Sequence, residues 1–363
     1  MQRAVELGER GRGLTSPNPL VGAVVVREGR VIGEGAHLRA GGAHAEIVAL
    51  QAAGDGARGA TLYVTLEPCR HQGRTPPCAP AVARAGVRRV VIALADPNPL
   101  VAGGGADLLR GAGITVELGV LAAEAERQNR AWLTAMRRRR PHVTLKAAAT
   151  LDGRLADVHG TSRWITGEPA RERAHRLRAE SDAVLVGVTT ALRDDPALTV
   201  RLAEPWPREP YRVVLDTAAR LGVEARVIRA GTPSRAIVAV GAQAPPSRVA
   251  ALESAGARVL RCPIRGGRVD PVALLKRLFE LEVRAVLVEG GGETHAAFAE
   301  AGLVDRVALF LAPLLLGGRD ATGIIGGAGR DLKAALRLAP LVATPVGDDL
   351  LIEADVLHDP QPP

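Results

Sequence analysis

Aromatic residues make up only 2% of this 363-residue chain, and it has just three cysteines and two methionines. So few aromatics leave little on which nucleobases could stack. Three cysteines are too few for a disulfide framework and suit a reducing compartment. Lysine is nearly missing as well: Lys146, Lys276 and Lys333 are the full set, so 44 of 47 basic residues are arginine. With Ala, Gly and Pro abundant throughout, the net charge of +8 reads as compositional bias more than as a nucleic-acid footprint. The densest basic run, Arg137-Arg138-Arg139-Arg140, falls at an expected domain junction. No apolar run approaches the roughly 20 residues of a membrane span. The stretch from Met1 to Leu7 places apolar residues at helical spacing, unlike the unbroken apolar stretch of a secretory signal. Nucleic acid and membrane are therefore not expected partners, and the cytoplasm is the expected address.

What the chain does have is length and alternation. Its 363 residues suit two domains, and 47% hydrophobic content suffices for packed cores. Val21–Arg27 and Arg30–Gly35 read as a hairpin turning at Glu28-Gly29. Strands are expected at Ala60–Thr65, Val87–Ala93 and Ile114–Leu118, and helices at His44–Ala53, Pro77–Ala85, Gly104–Ala112 and Ala122–Arg138. Pro141 ends that last helix, and a second alternation begins at His142–Lys146. It runs through strands at Ala183–Val188, Tyr211–Leu215, Arg235–Val240, Arg258–Leu260, Ala285–Glu289 and Arg306–Leu311. Helices at Glu168–Ala179, Ser247–Ala255, Pro271–Leu281 and Thr294–Ala301 separate them. Strands alternating with helices imply α/β layers, and the boundary is placed between residues 140 and 141.

The chemistry concentrates first at His44-Ala45-Glu46, Pro68-Cys69 and Cys78. One His and two Cys in that order form the ligand set of a zinc deaminase, and a Glu two residues after the His is its proton carrier. Three protein ligands leave a fourth position for water, whose pKa zinc lowers towards neutrality. Both half-motifs are expected at helix starts, where partial positive charge favours thiolates. The two cysteines are nine positions apart, whereas the common signature spaces them three apart.

The inserted loop Arg70-His71-Gln72-Gly73-Arg74-Thr75-Pro76-Pro77 resembles that of the bacterial bifunctional riboflavin-biosynthesis deaminase/reductases. The resemblance extends through Pro17-Asn18-Pro19, Asp96-Pro97-Asn98-Pro99, Leu151-Asp152-Gly153-Arg154, Ser162-Arg163-Trp164-Ile165-Thr166, Asp194–Arg201 and Val288-Glu289-Gly290-Gly291, in order along nearly the whole chain. The chain begins a few residues inside that family's first helix. The resemblance implies a cytidine-deaminase-like three-layer α/β/α domain at 1–140 and a dihydrofolate-reductase-like α/β domain at 141–363. It implies zinc-dependent deamination of 2,5-diamino-6-ribosylamino-4(3H)-pyrimidinone 5′-phosphate, then NADPH-dependent reduction of the ribosyl group to ribityl, in a homo-oligomer, dimer or tetramer.

Carried over residue by residue, it gives zinc ligands at His44, Cys69 and Cys78 and a proton shuttle at Glu46. Asn18 and His37 are implied in the pyrimidine pocket. His71 and Arg74 are set at the phosphoribosyl end, a merely solvated loop being the alternative. Cofactor contacts are implied at Ala148, Trp164, Thr190, Asp194, Thr217, Gly291 and Gly292, and substrate contacts at Ser162, Arg178, Leu198, Arg201 and Glu289. From the glycines alone, Glu289-Gly290-Gly291-Gly292 is as much a plain turn as a phosphate cradle; the resemblance favours the pyrophosphate. Arg178 and Arg201 suit a phosphate. Asp194-Asp195-Pro196 is expected to form a rigid turn, with Asp195 extended ahead of its proline. Lys146 and Asp152 flank the expected active-site strand end, with structural roles equally open. Two other readings fit less of the sequence. A nucleic-acid editor shares the metal motif but leaves the second half without a purpose, and a binding module that had lost its chemistry would lack a landmark residue.

Overall fold

The computed structural model describes residues 1–73, 75–98 and 104–358. The contacts divide the chain into two compact units, Met1–Arg140 and Pro141–Pro363.

The first unit holds strands β1 (Gly22–Arg27), β2 (Arg30–Ala36), β3 (Thr61–Leu66), β4 (Arg89–Leu94) and β5 (Thr115–Leu118), in the order β2-β1-β3-β4-β5. β1 runs antiparallel to β2 and β3, whereas β3, β4 and β5 are parallel. The β1–β2 turn needs positive φ at two successive residues, and Glu28 and Gly29 supply it at 52° and 74°. Helices α1 (Gln2–Glu9), α2 (Ala45–Ala53), α3 (Cys78–Arg84), α4 (Gly104–Gly111) and α5 (Ala122–Arg138) accompany the sheet. Alternation along β1 sorts its side chains: Val24 packs with Ala4 and Leu7 of α1, while Ala23 and Val25 join the core containing Ala45 and Ala49 of α2.

Close approach sets the position of α2. A Cβ on Gly35 would lie 2.2 Å from the Ala45 carbonyl oxygen, and one on Gly33 would lie 2.2 Å from that of Ala49. Two glycines on one face of β2 thus let the helix backbone rest directly on the strand.

The second unit is built on a ten-stranded sheet. Strands β6 (His142–Thr150), β7 (Ala183–Gly187), β8 (Tyr211–Leu215), β9 (Ala236–Gly241) and β10 (Arg258–Cys262) come first. The hairpin β11 (Ile264–Arg265) and β12 (Arg268–Val269) stands apart, and β13 (Ala285–Val288), β14 (Arg306–Ala312), β15 (Arg337–Leu338), β16 (Val342–Val346) and β17 (Asp349–Leu357) follow. The order is β10-β9-β8-β7-β13-β6-β14-β17-β15, with β16 also paired to β17. From β10 to β14 all neighbours are parallel; β17 is antiparallel to β14. The helices are α6 (Glu168–Ala179), α7 (Val188–Asp194), α8 (Arg226–Arg229), α9 (Pro246–Ser254), α10 (Pro271–Glu280) and α11 (Gly292–Glu300). Val188, expected to close a strand, instead opens α7, and α11 begins at Gly292, two residues ahead of the expected Thr294.

Among the described residues no helix is long and apolar enough to cross a membrane.

Candidate functional sites

In the first unit, three residues from separate parts of the chain converge. His44 caps the start of α2, Cys78 is the first residue of α3, and Cys69 lies on the loop after β3. Cys69 is therefore not at a helix start, as the sequence had suggested. It still faces one: its Sγ accepts the Cys78 amide at 3.4 Å, and its carbonyl accepts the Ala79 amide at 3.0 Å. His44 Nδ1 lies 3.1 Å from Cys78 Sγ and 3.7 Å from Cys69 Sγ, and all three ligand atoms fall within 4.8 Å of one another. Zn–S bonds of about 2.3 Å and Zn–N bonds of about 2.0 Å set tetrahedral neighbours roughly 3.6 Å apart. Two thiols and an imidazole at these separations fit zinc. The Cys78 thiol and the His44 ring next to Cys69 hold its thiol far below the usual range, against a burial effect that would raise it. Burial prevails at Glu46, which is 3% exposed in the first turn of α2, and pushes its carboxyl up.

The pocket wall beside this cluster is orderly. His37 Nδ1 donates to the Ala43 carbonyl at 3.0 Å, so its Nε2 is left to accept from Asn18 Nδ2 at 3.0 Å. Burial lowers the His37 pKa and keeps the ring neutral. The His37 and His44 rings meet edge to face at 5.3 Å. His71, on the loop between the cysteines, is half-buried, and its enclosed Nδ1 has no hydrogen-bond partner among the described residues. Arg74 lies outside the described residues.

Sequence reasoning missed two supports. Glu67, buried two residues before Cys69, accepts from the Ala106 amide at 2.9 Å and the Asp96 amide at 3.2 Å, fixing the end of β3. Asn129, buried in α5, accepts from the Leu20 amide at 2.7 Å and donates to its carbonyl at 2.9 Å, anchoring the segment that carries Asn18. A charged residue in an apolar strand end was the available sign for Glu67; a polar residue in a long helix offered none for Asn129.

In the second unit, a cavity of about 680 Å³ opens where β6, β7 and β13 end. The starts of α7 and α11 face it, with Gly187, Thr189 and Thr190 from one and Gly291, Gly292 and Thr294 from the other. The glycines allow close approach: a Cβ on Gly187 would sit 2.4 Å from Thr294 Oγ1, which would have to turn away, and one on Gly292 would sit 2.8 Å from the backbone carbonyl oxygen of Gly323. Gly291 adopts φ 55° as the cap of α11. Two helix starts whose backbone amides are open to a cavity can hold a pyrophosphate. Of the sequence candidates, Ala148, Ser162, Trp164, Thr190, Asp194, Glu289, Gly291 and Gly292 line it. Trp164 is 68% exposed at its mouth, with the Arg171 guanidinium over its ring at 4.6 Å.

Four candidates lie outside the lining. Thr217 follows β8 and accepts from the Val269 amide at 3.1 Å. Arg178 grips Glu289 with Nε and Nη2 at 2.6 and 2.8 Å and gives Nη1 to the Thr199 carbonyl at 3.0 Å. Leu198 is 2% exposed, at φ 52°, with its side chain packed in the core. The Arg201 amide donates to His175 Nδ1 at 3.2 Å. Lys146 lines the cavity, 3.9 Å from Glu289 and 5.8 Å from the Phe310 ring centroid; burial lowers its pKa. Asp152 instead accepts from the Leu316 and Gly317 amides at 3.2 and 2.7 Å, fastening a loop. Asp195, expected to be extended, is left-handed at φ 38°, where its carboxylate accepts from the Arg226 amide at 2.8 Å.

The two units define a class: a deaminase-type metal centre and a dinucleotide-sized cavity on one chain. Residues 1–94 match the family model for the cytidine and deoxycytidylate deaminase zinc-binding region, and residues 141–352 match that for the RibD C-terminal domain. The riboflavin biosynthesis protein RibD of Aquifex aeolicus is 43% identical over 352 residues, covering 97% of this chain and 96% of the relative. That of Escherichia coli is 44% identical over 336 residues, covering 89% of each. The solved structure of Acinetobacter baumannii RibD superposes with a TM-score of 0.88 at 39% identity, covering 98% of both chains. A Thermotoga maritima structure described as a diaminohydroxyphosphoribosylaminopyrimidine deaminase/5-amino-6-(5-phosphoribosylamino)uracil reductase gives 0.83 at 36% identity, covering 98% of this chain and 97% of that one. The chain belongs to the RibD family of riboflavin biosynthesis proteins.

Proposed function

We propose that the unit at 1–140 deaminates 2,5-diamino-6-ribosylamino-4(3H)-pyrimidinone 5′-phosphate at its 2-amino group. The unit at 141–363 then reduces the ribosyl group with NADPH to give 5-amino-6-(5-phosphoribitylamino)uracil. The observation that carries this is the convergence of His44, Cys69 and Cys78 beside the buried Glu46. Zinc held by these three residues would supply Lewis-acid activation of the attacking water. Glu46, whose carboxylate burial makes a stronger base, would take that water's proton and pass it to the departing ammonia, so a C–N bond is exchanged for a C–O bond. In this reading Asn18, hydrogen-bonded to His37, reads the pyrimidine edge, and His71 and Arg74 meet the phosphoribosyl end.

NADPH would supply the hydride in the second unit, its pyrophosphate at Gly291 and Gly292 and its remaining contacts at Ala148, Trp164, Thr190, Asp194 and Thr217. Ser162, Leu198, Arg201 and Glu289 would hold the substrate, and Arg178 acts through Glu289. Hydride reaches C1′ of the ring-opened ribosylamine once both partners are oriented.

A cytoplasmic homo-oligomer, dimer or tetramer, completes the proposal. The edge strand β16 supports it, because Val342 at its start and Leu341 just before it are 60% and 61% exposed, and an exposed apolar edge is a template for pairing. Ammonia release from the diaminopyrimidine phosphate, measured with and without added zinc after chelation, tests the first activity. Release unaffected by chelation would contradict it.

A further inference from the structure

His44 makes one contact that neither the deaminase motif nor the family match explains. Its Nδ1 faces the two thiols, and its Nε2 lies 3.0 Å from Thr75 Oγ1. Thr75 is half-buried on the loop between Cys69 and Cys78, and its carbonyl accepts the Gly73 amide at 3.2 Å. A neutral imidazole carries one proton, and the nitrogen that ligates a metal must be free of it. If Nε2 keeps its proton and donates it to Thr75 Oγ1, Nδ1 is left as the donor towards the metal.

We propose that Thr75 is a positioning residue for the metal centre, fixing both the tautomer and the ring orientation of His44. This rests on the zinc reading of His44, Cys69 and Cys78. It also gives the long insertion between the cysteines a task besides meeting substrate: Thr75 fastens its own stretch of that insertion to a zinc ligand. Other His contacts do not serve this end, because the His37 ring meets that of His44 edge to face and His37 spends its own nitrogens on Ala43 and Asn18.

The test compares Thr75→Val, which keeps the shape and removes the hydroxyl, with Thr75→Ser, which keeps the hydroxyl. Zinc affinity of the full-length chain is measured by competition with a chromophoric chelator, and thermal unfolding followed by circular dichroism, alongside reductase activity on deaminated substrate, reports that both units are folded. Hydrogen-bond partners of ligating histidines are worth about ten- to a hundredfold in metal affinity. Thr75→Val is expected to lose that factor, with reductase activity intact and Thr75→Ser near wild type. Wild-type affinity in Thr75→Val, or equal losses in both variants, overturns the inference while leaving the zinc reading standing. A wild-type chain that binds no zinc overturns both.

Discussion

Arg178 and Glu289 meet as fork and carboxylate, Nε on Oε1 at 2.6 Å and Nη2 on Oε2 at 2.8 Å, with side chains only 13% and 7% exposed. This pair revises the division of labour at the substrate's phosphate. An arginine already bidentate to a buried glutamate is not the free clasp that the sequence suggested, although its charge still acts on its surroundings.

Burial alone would raise the Glu289 carboxyl, but Arg178 and Lys146 outweigh it and hold it down to about 2. Glu289→Gln leaves a buried guanidinium without its counter-charge and should cost about 3 kcal/mol near neutral pH. A carboxylate whose folded pKa lies below its unfolded value of about 4.3 stabilises fully above that value. Its contribution is lost as the pH falls towards about 2. The stability gap between wild type and variant should therefore narrow through that window. Urea midpoints measured at neutral pH and at acid pH check this; a gap independent of pH contradicts it.

On the proposed reading, Arg201 is left as the principal phosphate contact. Burial lowers its pKa, and Arg178 and Arg226 nearby lower it further, so an arriving anion relieves crowded positive charge. A charge-assisted hydrogen bond of about 1.5–3 kcal/mol corresponds to roughly ten- to a hundredfold in kcat/KM. Arg201→Ala should lower reductase kcat/KM by that factor and leave the KM for NADPH and the deaminase rate unchanged. Unaltered kinetics would mark Arg201 as a solvated surface charge.

Glu46→Gln should abolish ammonia release while the chain keeps one zinc, since the side chain carries protons and is not among the three ligand residues. Reduction of separately supplied deaminated substrate should continue. Zinc loss in this variant, measured by metal analysis, would place the glutamate among the ligands instead.

Gly35→Ala tests how α2 is seated. The added Cβ would fall 2.2 Å from the Ala45 carbonyl oxygen, in the first turn of the helix that carries His44 at its cap. Overpacking of this kind costs about 1–3 kcal/mol, and weaker zinc binding should accompany a lowered Tm. An unchanged Tm would show that the helix shifts freely.

Much of this was legible in the sequence because the signals were local. The alternation of apolar and polar runs located the parallel strands, and His44-Ala45-Glu46 with Pro68-Cys69 and Cys78 identified the metal chemistry before any coordinates. The strands β15 to β17 were not anticipated: they lie among exposed and glycine-rich segments, and β16 is exposed along nearly its full length. Asp195 shows a local rule overridden, since the preference for extended geometry before proline gives way to a left-handed conformation that lets its carboxylate bond to Arg226. Thr75 on His44, Glu67 across to Ala106, and Arg178 on Glu289 are long-range contacts, 31, 39 and 111 residues apart, with no periodic trace to follow.

On the proposed function the two units act in sequence, deamination before reduction. The most direct test supplies the full-length chain with the diaminopyrimidine phosphate and NADPH while following ammonia and NADPH together. One NADPH should be oxidised for each ammonia released, with ammonia appearing first, and Glu46→Gln should consume neither substrate nor NADPH. NADPH oxidation by Glu46→Gln on the undeaminated substrate, or oxidation that precedes ammonia in the wild type, would contradict the account.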